Sequence, residues 1–315
     1  MEKQKSGKNK NFTSTVQTSN SKETGQIINW NVQMHQREVG RIYLVGAGPG
    51  SPDLLTRAAI RAIESADLVL ADRLVPAGVL ALIPKHSELF IARKYAGKTE
   101  RAQIELMELA IDALKRNQIV VRLKQGDPYI FGRGGEEMQV LKEAGYDPIL
   151  VPGVTSALSA PLFCDIPTTH RGVSDQVLII TGTGRKGALP DFPPYCATRT
   201  TIFLMAIAKI HDIVERLMLI DWPGSVPCAV IERASCRDQR VIRCRLENVV
   251  EAIETLGQKP PGLLVVGDAC DVLRESNGNT KKWVVEDGLR GGEEGWGSVM
   301  ELLDYQTIID RTGDE

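Results

Sequence analysis

The 315-residue sequence lacks several features that assign a chain to a class at first sight. Its six cysteines include no Cys-x-x-Cys pair, so the spacing of a zinc site is missing and reduced thiols are favoured over a disulfide framework. No apolar run approaches the roughly 20 residues of a membrane-spanning helix, and the N-terminus has no hydrophobic signal core. We therefore predict a cytoplasmic protein with no metal and no membrane segment.

Signals for phosphate, nucleic-acid and covalent chemistry are also missing. No Gly-x-x-x-x-Gly-Lys-Ser/Thr loop of the Walker type occurs. A formal net charge of −2 gives no overall attraction to nucleic acid or to a membrane surface. No Ser/His/Asp or Cys/His spacing indicates a covalent nucleophile. What is present is 43% hydrophobic and 25% charged residues, enough to bury a core and to predict two globular domains.

The two ends of the sequence differ from its middle. Residues 1–39 are rich in Lys, Ser, Thr, Asn and Gln without an apolar period, which predicts a disordered arm. Few acids and many hydroxyls are features of a transit peptide, but the cations are mostly Lys rather than Arg. Residues 274–315 are acidic and Gly-rich and are predicted to form a poorly ordered tail, in which Trp283, Trp296 and the apolar cluster 299–303 would dock a short helix.

Between these ends, strand-like runs alternate with helix-like windows, the pattern of an α/β fold. Pro152-Gly153 interrupts the alternation. We predict a first α/β domain over 40–152, with a mainly parallel sheet, and a second over 153–273. The predicted strands are 41–45, 68–71, 89–92, 119–123, 148–151, 177–181, 201–205, 228–232 and 263–266, and the predicted helices are 52–63, 76–83, 101–116, 134–144, 155–163, 209–219 and 248–256.

Two Gly-rich segments follow strands in the first predicted domain. The first, Gly46-Ala-Gly48-Pro-Gly50, is similar to a dinucleotide-binding loop, and a plain tight turn is the other interpretation. The dinucleotide fingerprint needs a glycine where Ser51 stands, and Pro49 removes an amide that a pyrophosphate would use. The second segment is Gly126-Asp-Pro-Tyr-Ile-Phe-Gly-Arg-Gly134. Together they predict two walls of a site for a ligand that lacks phosphate.

Charged residues follow three successive predicted strands, as Asp72-Arg73, Arg93-Lys94 and Lys124-Gln-Gly-Asp127. Because the carboxyl ends of parallel strands share one edge of a sheet, we expect a carboxylate and several cations on one rim. Such a rim suits a substrate with several carboxylates, which Arg binds in bidentate fashion. A helix N-cap for Asp72 and a solvated face for the cations are the plainer interpretations.

Taken together, these motifs resemble the uroporphyrinogen-III C-methyltransferases, within the class of tetrapyrrole methyltransferases. The segments Lys124-Gln-Gly-Asp127, Gly184-Arg-Lys-Gly187 and Glu232-Arg-Ala-Ser235 are similar to the fungal branch. The similarity covers about 40–273 in the family's order, which makes it far more specific than one Gly-rich loop. The stretches that carry it are 43–56, 66–75, 120–137, 151–157, 166–172 and 259–267.

The resemblance implies two α/β domains of the tetrapyrrole methylase type with S-adenosylmethionine in the cleft between them, no metal, and a homodimer. It implies two methyl transfers, to C2 and C7 of uroporphyrinogen III, giving precorrin-2 for siroheme biosynthesis. Asp72 falls on the family's proposed proton acceptor and Lys94 on its proposed proton donor. The residues expected to contact S-adenosylmethionine are Pro49, Gly126, Asp127, Pro128, Ile130, Thr155, Ser156, Met205 and Ala234. Those expected on the tetrapyrrole side are Leu74, Phe131, Arg133, Thr168 and Arg171.

The sequence departs from the family pattern at several positions. Gln125 and Ala206 replace common glycines, and Ala234 stands where a glycine precedes Thr but still offers a backbone amide. These departures bear on substrate order and rate more than on reaction class. Three alternatives stay open: a related methyltransferase acting on a later precorrin or another acceptor, a nucleotide-dependent oxidoreductase, and a non-enzymatic scaffold.

Overall fold

Two β-sheets organise the residues that the computed structural model describes, which are 39–92, 99–184, 187–274 and 281–289. The strands are β1 (Arg41–Gly46), β2 (Leu68–Ala71), β3 (Glu88–Ile91), β4 (Ile119–Lys124), β5 (Ile149–Val151), β6 (Gln176–Thr181), β7 (Arg199–Leu204), β8 (Pro227–Glu232), β9 (Arg240–Arg245), β10 (Gly262–Val266) and β11 (Trp283–Asp287). The helices are α1 (Arg57–Glu64), α2 (Ala77–Leu80), α3 (Thr99–Lys115), α4 (Gly134–Glu143), α5 (Ser156–Leu162), α6 (Ile210–Leu219) and α7 (Val249–Leu256). Within the described ranges, no helix has both the length and the apolar character to cross a bilayer.

The first sheet is parallel throughout and has the strand order β3-β2-β4-β1-β5, which confirms the predicted α/β pattern. Helices α1 and α2 pack on one face through side chains such as Ile63 and Val79. Helices α3 and α4 cover the other face through Leu114 and Leu141. The neighbouring strands β1 and β4 are thus followed by helices on opposite faces. The region between the carboxyl ends of such a strand pair is the usual ligand position in open α/β sheets, and we refer to it, with the loops after β1 and β4 that border it, as the crevice.

The second sheet has the order β11-β9-β8-β10-β7-β6, and only the β6–β7 pair is parallel among its described neighbours. Helices α6 and α7 pack on one face through Leu217 and Ile253. Helix α5 packs on the other face through Ala157 and Ala160. Every residue of β8 is buried, because this central strand has helix or loop on both faces.

Two local predictions need correction, and one strand is absent from the prediction. The predicted helix 52–63 is a 3-10 turn, Pro52–Leu54, followed by α1, which begins only after the hydroxyl of Thr56 caps the amide of Ala59 at 3.1 Å. Strand β9 escapes the sequence pattern because its buried residues include two arginines. Strand β11 lies inside the stretch predicted to be poorly ordered, and it pairs with β9 along its whole length. Trp296 and residues 299–303 lie outside the described residues.

Candidate active site

The Gly-rich loops after β1 and β4 meet at the crevice between those strands. The amide of Gly126 donates to the carbonyl of Gly48 at 2.8 Å, and the amide of Gly48 donates back at 3.3 Å. A Cβ atom on Gly46 would lie 2.5 Å from the Cα of Gly153 and 2.6 Å from the carbonyl oxygen of Gly126. The backbones approach so closely that a side chain at Gly46 does not fit. The structure therefore brings together the two walls predicted from the sequence.

Asp127 organises the loop after β4. Its Oδ1 accepts a hydrogen bond from the amide of Tyr129 at 2.9 Å, and its Oδ2 accepts one from the amide of Gly153 at 3.4 Å. One carboxylate thus ties its own loop to the segment after β5. Asp127 therefore shapes the crevice by holding these two segments together.

The segment after β5 leads directly into α5, where two predicted contact residues lie. The hydroxyl of Thr155 accepts a hydrogen bond from the amide of Ala157 at 3.3 Å, which makes Thr155 the N-cap of α5. Its carbonyl accepts a hydrogen bond from the hydroxyl of Ser159 at 2.9 Å. Ser156 is the first residue of the helix and is half-buried. The cap holds both residues close to Gly153, which borders the crevice.

The loop after β1 also contacts the second sheet. A Cβ atom on Gly50 would lie 2.7 Å from the carbonyl oxygen of Ala234 and 2.7 Å from the hydroxyl of Ser235. The amide of Ser51 donates to that same hydroxyl at 3.0 Å. Ala234 therefore lies against the loop that contains Pro49, although the two residues are far apart in sequence.

Backbone amides of the first loop are used within the protein. The amide of Ala47 donates to the end of β4 at 2.7 Å, that of Gly48 to the loop after β4 at 3.3 Å, and that of Ser51 to a hydroxyl of the second sheet at 3.0 Å. Pro49 has no amide to donate. Since a pyrophosphate is held largely by such amides, this geometry disfavours a dinucleotide and suits a ligand without phosphate.

Exposed apolar side chains follow β4 and β7. Phe131 and Met205 adopt positive φ angles of 50° and 54°, which are uncommon for residues other than glycine. Their side chains are 45% and 48% exposed, and that of Ile130 is 37% exposed. The carbonyl of Met205 accepts a hydrogen bond from the hydroxyl of Thr183 at 3.2 Å, which holds the strained residue in place. Held apolar side chains at the ends of strands are typical of ligand sites.

A buried ionic cluster lies at the end of β2, beside the crevice. Asp72 follows β2, and its carboxylate is 31% exposed. Its Oδ1 accepts a hydrogen bond from the guanidinium of Arg122, and its Oδ2 lies 4.0 Å from the Nζ of Lys124. Both cations, each with 1% exposed side chains, also lie 3.0 Å from Oε1 of Glu137 on α4. The side-chain amide of Gln103 on α3 donates to that same oxygen.

Strand register explains how the cluster assembles. Arg122 is aligned with Leu44 on β1 and with Leu70 on β2, so it belongs to the face covered by α3 and α4. Lys124 lies two residues further along β4 and therefore on the same face. That face is apolar until its carboxyl end, where β2 finishes and Asp72 follows. The prediction that Lys124 lies on an open cationic rim is wrong, because helices α3 and α4 bury it.

The two cations of the cluster respond differently to burial. Burial lowers the pKa of Lys124, and the charge of Arg122 adds to that effect, against the attraction of the two carboxylates. Burial also acts to lower the pKa of Arg122, but the attraction of Asp72 and Glu137 outweighs it and leaves that pKa raised. Arg122 is therefore a permanent cation beside a carboxylate that bound molecules can reach. Access to a bound molecule is the geometric requirement that a proton acceptor must meet.

Three residues predicted for the tetrapyrrole side follow the strands β2 and β4, whose carboxyl ends lie at the crevice or beside it. Leu74 follows Asp72 by two positions and is 56% exposed, and Phe131 is exposed on the loop after β4. Arg133 ends that loop and lies 2.6 Å from Glu136 and 3.3 Å from Glu100. The hydrogen bonds that Arg133 donates to the carboxylate of Glu136 are the main reason that the pKa of Arg133 is raised. Arg133 is therefore a cation at the rim whose guanidinium is paired with two carboxylates.

The other two predicted residues, Thr168 and Arg171, lie on the turn between α5 and β6. The carbonyl of Thr168 accepts a hydrogen bond from the hydroxyl of Ser174 at 3.3 Å. That hydroxyl lies 2.8 Å from the hydroxyl of Thr200 on β7, which ties the turn to the second sheet. Arg171 is exposed on the same turn. Lys94 lies outside the described residues.

The cysteines and acids show no alternative centre among the described residues. All six cysteines are free thiols in this structure. Burial raises the pKa of Cys270 well above that of an ordinary thiol, and the hydrogen bond between Cys228 and Cys244, together with burial, does the same for the pKa of Cys228. Across the described ranges, no group of three or more His, Cys, Asp or Glu side chains has the arrangement to hold a metal ion.

With the crevice and its carboxylate in place, the chain can be compared with known proteins. The family model for tetrapyrrole (corrin/porphyrin) methylases matches residues 41–250. The chain belongs to the tetrapyrrole methylase family. That match includes β1 to β9 and therefore both walls of the crevice and the whole ionic cluster.

Individual relatives of this tetrapyrrole methylase carry consistent names. It is 53% identical over 242 residues to the probable uroporphyrinogen-III C-methyltransferase of Schizosaccharomyces pombe, a match that covers 77% of this chain and 48% of that protein. It is 48% identical over 270 residues to the uroporphyrinogen-III C-methyltransferase of Saccharomyces cerevisiae, covering 84% of this chain and 46% of that protein. The chain therefore spans about half the length of these two curated relatives.

A solved structure shows the same fold. The uroporphyrin-III C-methyl transferase of Thermus thermophilus, complexed with S-adenyl homocysteine, has a TM-score of 0.64 and 38% identity, and covers 73% of this chain and 98% of that one. This likeness confirms the predicted tetrapyrrole methylase fold.

Sequence reasoning misses three polar residues of this tetrapyrrole methylase that the structure brings to the site. Arg122 and Glu137 anchor Asp72 and Lys124, and Ser235 anchors the first loop. The signal for Arg122 and Lys124 is visible in hindsight as two cations within an otherwise apolar strand, since buried cations need partners. Glu137 gives no such signal, because it stands in a helix rich in charged residues.

Proposed function

We propose that this tetrapyrrole methylase transfers methyl groups from S-adenosylmethionine to C2 and C7 of uroporphyrinogen III, giving precorrin-2 for siroheme biosynthesis. The observation that carries the proposal is a crevice whose first loop uses the amides of Ala47, Gly48 and Ser51 within the protein, with the partly exposed carboxylate of Asp72 beside it. The names of the two yeast relatives, and of a bacterial relative called siroheme synthase, support the substrate and the destination.

The crevice fits S-adenosylmethionine, which carries a sulfonium and no phosphate. Gly126 has a φ of 69°, and a Cβ placed there would meet no atom within 4 Å, so the walls leave open space. The homocysteine-containing ligand named for the Thermus thermophilus structure supports the choice. The residues that would hold the cofactor are Pro49, Gly126, Asp127, Pro128, Ile130, Thr155, Ser156, Met205 and Ala234.

The chemistry asks little of the protein beyond alignment and one proton transfer. S-adenosylmethionine, when bound, supplies a methyl group on a positively charged sulfur that is already electrophilic. The protein holds a pyrrole carbon in line with that methyl group. The methylated ring then carries a positive charge, and loss of a proton restores neutrality. We assign that proton to the carboxylate of Asp72 and assign proton donation to Lys94.

The tetrapyrrole offers both an apolar ring and eight carboxylates. The exposed side chains of Leu74 and Phe131 suit the ring, and the cations Arg133 and Arg171 suit carboxylates. Thr168 offers a further hydroxyl on the same turn as Arg171.

The proposed domain division, 40–152 and 153–273, agrees with the strand content of the two sheets apart from β11.

We further propose a cytoplasmic homodimer. Four apolar side chains on the edge strand β5 and on the following helix α5 are exposed in the single chain: Ile149 (43%), Leu150 (39%), Leu158 (47%) and Leu162 (67%). Exposed apolar side chains of this size are common at subunit interfaces. Analytical ultracentrifugation of the chain and of a Leu158→Glu/Leu162→Glu variant tests the assembly, because the variant is expected to sediment as a monomer.

The test of the activity is an anaerobic incubation of purified protein with S-adenosylmethionine and uroporphyrinogen III, followed by product mass. A gain of two methyl groups supports the proposal, and a gain of one restricts it to a single ring carbon. Absence of methyl transfer, with S-adenosylhomocysteine still bound in calorimetry, would overturn the assigned acceptor and keep the cofactor.

A further inference from the structure

Two fully buried cations beside one half-exposed carboxylate form an unusual arrangement. Lys and Arg are seldom buried without partners, yet the side chains of Arg122 and Lys124 are each only 1% exposed. We propose that Arg122 and Lys124, held by Glu137, are positioning residues that fix the orientation of Asp72 and return its carboxylate to the anionic form after each proton transfer. The proposal rests on the function proposed above, in which Asp72 accepts the proton.

The contacts of Arg122 explain the orientation. Its guanidinium donates to Oδ1 of Asp72, and its Nη1 donates to the carbonyls of Leu70 at 3.2 Å and Leu123 at 3.1 Å. Its Nε donates to Glu137 at 3.0 Å. The guanidinium is therefore fixed on every side by β2, β4 and α4. Because the guanidinium is fixed, the carboxylate of Asp72 that it binds is fixed as well, which keeps a base within reach of a bound substrate.

The charges of the cluster explain the return to the anion. Two cations face two carboxylates, so the cluster is neutral while Asp72 is ionised. When Asp72 takes the proton from the methylated ring, the electron pair of the broken C–H bond stays with the ring and neutralises it. The cluster then carries one uncompensated positive charge in a buried setting, which is unfavourable. The proton is consequently released to water from the exposed side of Asp72, and the base is ready for the second methyl transfer.

Glu137 has the complementary task of holding the two cations together. Its Oε1 accepts hydrogen bonds from the side chains of Arg122, Lys124 and Gln103. Its Oε2 is buried and has no hydrogen-bond partner among the described residues. The side chain is 0% exposed, so Glu137 has no route to a substrate. Its role is confined to the cations, and its effect on Asp72 passes through them.

The experiment is a double-mutant cycle between Arg122→Met and Asp72→Asn, with single-turnover and steady-state kinetics over a range of pH. Arg122→Met alone is expected to lower kcat by about 10- to 100-fold and to move the acid limb of the pH profile of kcat upward, because a carboxylate without its cation takes up a proton more readily. In the Asp72→Asn background, Arg122→Met is expected to cause no further fall in kcat, because it acts only through the carboxylate.

Two conservative variants and one control complete the design. Arg122→Lys keeps the positive charge but loses the planar, bidentate geometry of the guanidinium. Compared with Arg122→Met, it is expected to return the acid limb to its wild-type position and to recover only part of kcat. Lys124→Met is expected to move the acid limb in the same direction by less. Arg240→Met removes a comparably buried arginine from the second sheet and is expected to leave the pH profile unchanged. Binding of S-adenosylhomocysteine and circular dichroism establish that each variant is folded, and if Arg122→Met does not fold, Arg122→Lys and Lys124→Met carry the comparison.

The outcomes separate this proposal from the proposed function. Additive losses in the double mutant, or an acid limb that stays in place in every cluster variant, would overturn the positioning role while wild-type methyl transfer stands. Absence of methyl transfer by the wild-type protein would instead overturn the proposed function.

Discussion

Arg122 in the first sheet and Arg240 in the second are each buried against a glutamate, but the two ion-pair groups differ in their access to the surface. In the second sheet, Arg240 donates to Glu232 at 2.6 Å, and both side chains are buried, at 6% and 0% exposure. In the first sheet, Arg122 is as deeply buried, yet it also meets Asp72, whose carboxylate is 31% exposed. The closed pair can only stabilise the fold. The open cluster can also exchange a proton, because it stands where parallel strands end at a crevice.

The largest expected effect is on catalysis by the open cluster. Asp72→Ala is expected to lower kcat for methyl transfer by about 10²–10⁴-fold, the usual range for loss of a general base. The affinity for S-adenosylhomocysteine is expected to stay unchanged, because Asp72 is proposed to act on the tetrapyrrole. Asp112→Ala, which removes an exposed carboxylate on α3, is the control. Wild-type turnover in the Asp72 variant would remove the functional difference between the two clusters.

Breaking the closed pair is expected to affect stability instead. Arg240→Met leaves the buried carboxylate of Glu232 without its cation and is expected to lower the free energy of unfolding by about 3–5 kcal/mol. Urea unfolding followed by circular dichroism measures this change. The kcat of the folded fraction is expected to equal that of the wild type. A selective loss of kcat at full stability would show that the second cluster also serves the reaction.

Closing the crevice by one methyl group is expected to have an intermediate effect. In Gly46→Ala the added Cβ lies 2.5 Å from the backbone of Gly153, so the loops must separate. We expect a loss of about 1–3 kcal/mol in stability together with weaker binding of S-adenosylhomocysteine in calorimetry. Gly135→Ala on α4 is the matched control, since its Cβ would meet no atom within 4 Å. Unchanged cofactor affinity in Gly46→Ala would place the ligand away from this crevice.

The smallest expected effect is the pH dependence of stability, and the two sheets contribute with opposite sign. Burial raises the pKa of the Cys270 thiol, so the folded chain binds more protons than the unfolded chain above about pH 8.5, and stability falls with pH there by about 1.4 kcal/mol per unit. Burial lowers the pKa of Lys124, so the folded chain binds fewer protons in the window below its ordinary value, and stability rises with pH there.

Thermal unfolding between pH 8 and 10.5 of Cys270→Ala and Lys124→Met separates these two contributions. The first variant is expected to lose less stability than the wild type as the pH rises, and the second is expected to lose more. Parallel curves for all three proteins would contradict the assigned shifts.

The fold was predictable where the pattern of side chains was regular. The strands β1, β2 and β4 are short apolar runs, and α3 repeats its apolar residues at helical spacing, so each was visible in the sequence. Strand β9 was hidden because its arginines find carboxylates from other elements, and β11 because its pairing partner β9 lies far away in the chain. Residues that satisfy each other across elements leave no local periodicity.

The candidate site likewise has features that are visible in the local sequence and features that depend on contacts between distant elements. The two Gly-rich loops and the carboxylate of Asp72 were predictable, because turn residues and strand ends are local features. The partnership of Asp72 with Arg122, Lys124 and Glu137 was not, since it needs the register of β2 against β4 and the docking of α4. The contact of Gly50 with the turn after β8 likewise joins segments that are distant in the chain. Ser51 and Ser235, which are hydrogen-bonded there, are 184 positions apart.

The sequence by itself determined the order of the elements, the family and the kind of ligand that the first loop disfavours, because these depend on the residue types at neighbouring positions. Only the tertiary structure decided that Lys124 is buried rather than exposed on a rim, and that Asp72 is the one carboxylate of its cluster that reaches solvent. The physical reason is that burial and ion pairing are set by which elements pack together. A charged residue at the end of a strand has the same local sequence whether a helix covers it or not.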